Sequence, residues 1–158
     1  MKVIIKLLGI LLPLALVTGC AEKYELDCKM EALCKKDGGV KIYETVKLPP
    51  EMFDELGRPH FSGSTDFKRL SNGATRKLGE AYIYITEDTE LKTGDPLKGE
   101  SYLGRGHYKI QRISDNKIIG EAIQYLRAGG DLFVIGHHSY KTCPNEPMNI
   151  IEKVFVKE

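Results

Sequence analysis

The residues best equipped for chemistry are His137, His138 and Ser139, with Cys143 close behind. Adjacent histidines beside a hydroxyl could supply a base, a nucleophile or two metal ligands. Neighbouring residues of a strand point to opposite faces, so His137 and His138 serve one site only across a bulge. They are the candidates for a small hydrolase or a metal-binding protein, with His107 as a further contributor. His60 is isolated in a Pro/Gly-rich stretch. Gly99-Glu100-Ser101-Tyr102-Leu103-Gly104 has one residue too many for a nucleophile elbow. Gly104-Arg105-Gly106 lacks the third glycine of a phosphate loop and precedes a strand. These patterns assign no catalytic residue, no metal ligand and no cofactor. The tyrosines at β-type positions, together with Arg105, Arg112 and Arg127, suit a protein interface, where Tyr and Arg are enriched. Tyr108, Arg112 and Tyr125 are the candidate interaction residues, and packing at the sheet margin is the competing use of the same rings.

Ahead of these groups stands MKVIIKLLGILLPLALVTGC. Lys2 and Lys6 form a basic start, and Val3 to Val17 is an apolar run too short for a bilayer core, which takes about 20 residues. Val17-Thr18-Gly19-Cys20 resembles the lipobox of bacterial lipoprotein precursors. The resemblance implies cleavage before Cys20, diacylation of its thiol and acylation of the new amine. Two or more acyl chains give stable attachment, each buried methylene contributing about 0.8 kcal/mol. Residues 1–19 are then the signal and 20–158 one globular envelope domain. Ala21 and Glu22 follow the cysteine with no aspartate at the second position, which by the same resemblance implies the outer membrane, periplasmic side. The whole chain, with its Lys36-Asp37-Gly38-Gly39 turn, is also similar to small lipoproteins of proteobacterial and mobile-element genomes, a likeness that carries no residue roles.

Without Lys2 and Lys6 the chain has 21 basic against 22 acidic residues. This near-neutral balance gives no footprint for nucleic acid. With Cys20 given to lipid, Cys28, Cys34 and Cys143 remain in an oxidising compartment, so one intrachain bridge can form. Cys28 and Cys34 lie about 240° apart on a helix and do not meet. Cys34 shares a face with Leu26, Met30 and Leu33, which favours Cys34–Cys143 over Cys28–Cys143. A zinc site from these cysteines lacks a CxxC spacing.

The elements that must position these groups read as follows. Tyr24–Lys36 is a helix with acidic residues at its start, lysines at its end and Gly38-Gly39 as its stop. Val40–Val46 alternates as a half-buried strand. Pro50–Leu56 is a short helix after Pro49, and 58–79 a long loop. Glu80–Thr86 is a strand rich in β-branched and aromatic residues, and 87–100 a loop. Residues 106–114 and 117–127 form a hairpin turning at Asp115-Asn116. A two-residue turn there pairs Tyr108 with Ile123 and Ile110 with Glu121, giving one buried face of Tyr108, Ile110, Ile119, Ile123 and Tyr125. The other face, with His107, Lys109, Gln111 and Gln124, is then wet. Asp131–His137 and Asn149–Val156 complete the sheet. The expected fold is α+β, an N-terminal helix on a mostly antiparallel sheet of four to five strands. The expected function is a membrane-anchored envelope lipoprotein with a non-catalytic binding domain and an envelope protein as partner; the likeness to small proteobacterial and mobile-element lipoproteins implies a role in assembly or in exclusion of incoming phage or plasmid machinery.

Overall fold

A computed structural model describes residues 22–61, 66–131, 137–146 and 148–158. The expected signal, Cys20 and most of the expected strand 131–137 lie outside the described residues.

Helix α1 spans residues 22–37, two residues longer at its start and one at its end than the pattern predicts. Leu26, Met30 and Cys34 recur every four residues and are buried, with Leu33 beside them. Each turn thus drops one apolar side chain onto the sheet. The helix ends where Gly38 donates to the Cys34 carbonyl and Gly39 takes φ +115°; a Cβ at Gly38 would lie 2.7 Å from that carbonyl oxygen.

The sheet is larger than expected. Among the described residues, strands β1 (Gly39–Ile42), β3 (Phe67–Leu70), β4 (Gly73–Leu78), β5 (Tyr82–Lys92), β6 (Tyr102–Arg112), β7 (Ile118–Ala128) and β8 (Tyr140–Cys143) make a seven-stranded antiparallel sheet in the order β1-β7-β6-β5-β4-β3. β8 shares the outer edge of β7 with β1, taking residues 125–128 while β1 takes 120–123. Strand β2 (Val46–Leu48) pairs in parallel with β9 (Phe155–Lys157) in a separate ribbon.

Several elements depart from the sequence pattern, each for a local reason. The alternating run 40–46 breaks into β1 and β2, because the amides of Tyr43 and Glu44 both turn onto the Ile119 carbonyl. The helix at Pro50 is one 3-10 turn, Pro50–Met52. The long loop contains the β3–β4 hairpin, closed through Ser71-Asn72, and β5 runs on to Lys92 through residues read as loop. The last segment forms helix α2 (Ile150–Val154) before β9, with Ile150 and Val154 one turn apart and buried.

The β6–β7 hairpin turns at Asp115-Asn116 as expected, with Asn116 at φ +58°. Its register differs by one residue: Tyr108 faces Ala122 and Ile110 faces Gly120, with an irregularity between Ile110 and Gln111. A slip of one residue moves alternate side chains to the opposite face. Tyr108 and Ile110 therefore lie on one face and Ile123 and Tyr125 on the other. Gln124 likewise leaves the face of His107, Lys109 and Gln111.

Both faces carry a core. Leu26, Met30 and Cys34 of α1 cover Leu103, Ile123 and Tyr125 on the first face. On the second face α2 and the β2–β9 ribbon cover Leu78, Ile110, Ile119 and Ala122. A Cβ at Gly120 would lie 2.6 Å from a Val154 methyl, so the glycine lets α2 approach β7 directly.

Cys34 and Cys143 form the disulfide, which ties α1 to β8 across 109 residues of chain and leaves Cys28 free and exposed. Replacing both by serine is expected to lower stability by about 2–4 kcal/mol, the usual contribution of a bridge closing a long loop. Urea unfolding with and without reductant measures this. An unchanged midpoint would contradict it.

Candidate functional site

The second face is only half covered. Past Tyr108 towards the end of the sheet where β6 begins, among the described residues, it presents Gly106, Gly104 and Tyr102 of β6, Gln124 and Leu126 of β7 and Thr142 of β8. Together with Asp88 they line an open hollow of about 140 Å³. The glycines form its floor. A Cβ at Gly104 would meet the Tyr102 hydroxyl at 2.5 Å, and one at Gly106 the Tyr108 hydroxyl at 2.7 Å, so each ring leans over a glycine two residues away. Any larger residue would push the ring aside, which ties the hollow's shape to this alternation.

Tyr84 extends the aromatic surface across to β5. Its ring stacks on Tyr108 at 6.4 Å between centroids, and the Arg76 guanidinium lies 5.5 Å from the Tyr84 centroid. Arg76 Nε is buried and has no hydrogen-bond partner among the described residues. Beside it Phe67 is largely exposed, and Leu126 borders the hollow on the other side. The stripe from Arg76 through Tyr84 and Tyr108 to Tyr102 offers flat rings, one incompletely satisfied guanidinium and a few polar groups.

The phenols are protonated at ordinary pH. Burial pushes Tyr84 up to about 12, with Tyr108 adding to the rise and Arg76 opposing it. Burial also raises Tyr108 and Tyr102, helped at Tyr102 by Glu90 and Asp88. Neutral phenols stack and exchange hydrogen bonds; they are not poised as nucleophiles or bases.

The residues singled out from sequence are dispersed. Tyr108 lines the hollow. Arg112 is at the opposite end of β6, paired with Glu44 and with Asp115 at 3.0 Å. Tyr125 is buried under α1, its hydroxyl donating to Asp37 at 2.6 Å. That hydrogen bond, followed by Arg105, holds the Asp37 carboxyl below its usual range. Tyr108, Arg112 and Tyr125 therefore form no common surface, because the altered register sends Tyr125 to the α1 face. Arg105 and Arg127 also face α1, through Asp37 and Asp27.

His137 and His138 lie in the bend before β8, His137 exposed. His107 is a member of a cross-strand ladder on the α1 face. Its Nε2 is 3.0 Å from Glu121 and its Nδ1 3.7 Å from Glu87, which also accepts from Lys109 at 2.6 Å. Glu121 is held below the usual carboxylate range first by the Tyr43 hydroxyl and then by His107, and Glu87 first by Lys109. Opposite charges on neighbouring strands satisfy one another here. Among the described residues, no group of three or more His, Cys, Asp or Glu is arranged to hold a metal ion.

Sequence reasoning missed Gly104, Gly106 and Arg76. The first two were tested against a phosphate loop, yet their alternation with Tyr102 and Tyr108 in Tyr-x-Gly-x-Gly-x-Tyr was the available signal. No family model, curated protein or solved structure matches this chain.

Proposed function

We propose that this chain is a lipid-anchored envelope lipoprotein of the outer membrane whose domain binds a periplasmic protein segment on the open half of its sheet. The observation that carries the binding reading is the open hollow along Tyr102–Gly104–Gly106–Tyr108, whose rings are only half-buried among the described residues, on a sheet whose other core positions are packed under α1, α2 and the ribbon. Rings over glycines give a broad, nearly rigid contact surface that loses little side-chain entropy on binding. Arg76, stacked on Tyr84 and short of an acceptor, adds a preference for a carboxylate on the partner. The lipid-anchor reading rests on the lipobox resemblance. The hydrolase alternative draws less support, since neither His137 nor His138 lines the hollow.

Site-specific photo-cross-linking in the native envelope tests the binding surface. A benzoylphenylalanine in place of Leu126 is expected to give a discrete protein adduct, and one in place of Leu56, exposed on another part of the surface, is not. Adding Gly104→Val, which displaces the Tyr102 ring into the hollow, should remove the adduct, and Arg76→Ala should weaken it. The same adduct from both positions, or one indifferent to Gly104→Val and Arg76→Ala, would overturn the assignment.

A further inference from the structure

We infer that the end of the domain at which α1 begins is seated directly on the bilayer surface, with Leu97, Tyr140 and Tyr24 entering the headgroup layer. This rests on the lipid-anchor reading of Cys20. Two residues of chain reach at most about 7 Å, so an acylated Cys20 holds residue 22, the first of α1, within that distance of the headgroups.

The helix start cannot swing on this short tether independently of the body. Glu22 pairs with Lys92 at the end of β5, and Lys23 with Asp131 at 2.7 Å. Asp131 also accepts from the amide and hydroxyl of Ser139, so its carboxyl is held down at about 2, first by Lys23 and then by Ser139. The first turn is in this way joined to β5 and to the segment leading into β8, and what holds residue 22 at the membrane holds that end of the sheet there too.

The side chains gathered at this end suit an interface. A Cβ at Gly130 would lie 3.3 Å from the Lys23 Cβ, and one at Gly129 3.0 Å from the Pro96 Cα, so the Pro96–Lys98 turn abuts the helix start. The Gly129 amide donates to the Ser139 carbonyl, placing Tyr140 beside the same spot. Leu97, Tyr140 and Tyr24 are 75%, 74% and 72% exposed, a level that only Leu56, elsewhere on the surface, shares among the large apolar side chains of the described residues. Tyrosine favours the membrane–water boundary, where its ring is shielded and its hydroxyl stays wet. The nearby ions largely pair with one another, Lys98 with Asp95 and Lys141 with Glu31. Contact therefore depends on rings and a leucine, and fixes orientation once the acyl chains have supplied attachment.

The absence of tryptophan makes a clean reporter possible. Leu97→Trp and Ile113→Trp are made separately in the full lipidated chain, Ile113 being exposed at the β6–β7 turn, the opposite end of the sheet. Each is reconstituted in phosphatidylethanolamine/phosphatidylglycerol vesicles containing brominated phospholipid. The Leu97→Trp emission should be quenched several-fold more than that of Ile113→Trp, and shifted to the blue. Equal quenching, or stronger quenching of Ile113→Trp, would overturn the seating while leaving the anchor intact. Vesicle flotation of the same samples scores the anchor separately, and failure to float would defeat both readings.

Discussion

Arg127→Met is expected to lower stability by about 2–3 kcal/mol, the cost of removing charge-assisted hydrogen bonds from a partly buried carboxylate. Arg127 is 3% exposed and makes no contact with bulk solvent worth the name. Its Nε donates to Asp27 of α1 at 2.8 Å, and its Nη1 donates to the Ser139 hydroxyl at 2.9 Å and to the Gly129 carbonyl at 3.2 Å. One guanidinium thereby joins α1, the end of β7 and the entry to β8. Methionine fills much of the volume but leaves Asp27 with only Lys141, 3.9 Å away, and takes the donor from the Gly129 carbonyl, while Ser139 keeps its bonds to Asp131 and Gly129. The pair itself contributes less than the penalty for splitting it. The double variant Asp27→Leu/Arg127→Met should accordingly recover most of the loss. Urea unfolding of the parent, both single variants and the double variant measures the cycle. A near-neutral Arg127→Met would show that the clamp adds nothing to the attachment of α1.

That attachment was partly legible in the sequence. Leu26, Met30 and Cys34 repeat at helical spacing, which identified the buried face of α1 and selected Cys34 as the partner of Cys143. Asp115-Asn116 marked its turn because residue chemistry restricts tight turns to few types. Register was not legible. β7 carries apolar residues at both parities, Ala122 and Ile123 among them, because α1 covers one face and α2 the other. Alternation predicts a face only when one face is wet. Edge strand β3 was missed for the opposite reason: Phe67–Leu70 is exposed throughout, so no burial pattern marks it inside a stretch rich in Pro, Gly, Ser and Asn. At the end of the chain, Ile150 and Val154 read as strand by propensity and form α2 because Gly120 leaves room for a helix there.

The candidate site followed the same division. Residue type alone groups Tyr108 with Arg112 and Tyr125, and type does not say which face a side chain takes: the structure puts them in the hollow, at the far end of β6 and under α1. Tyr102, Gly104 and Gly106 acquire meaning only when β6 is extended and alternate residues line up on the open face. Arg127 looked like an interface arginine and is an internal clamp, a distinction made by α1 rather than by anything local to β7.

The membrane anchor and the seating of α1 depend on Cys20. Replacing it by serine removes the thiol to which the acyl chains would be joined, and the expected effect is complete: loss of acyl labelling, no processing before residue 20 by the lipoprotein route, and no mature protein floating with outer-membrane vesicles. Metabolic labelling with an alkyne fatty acid, followed by intact mass of the purified parent and Cys20→Ser chains, is the most direct measurement. A parent that begins at residue 20 and carries the mass of its acyl chains, beside a Cys20→Ser chain that carries none, is the predicted result. A parent without acyl mass, or a Cys20→Ser chain still processed at residue 20 and membrane-bound, would contradict the anchor and with it the seating of α1 on the bilayer.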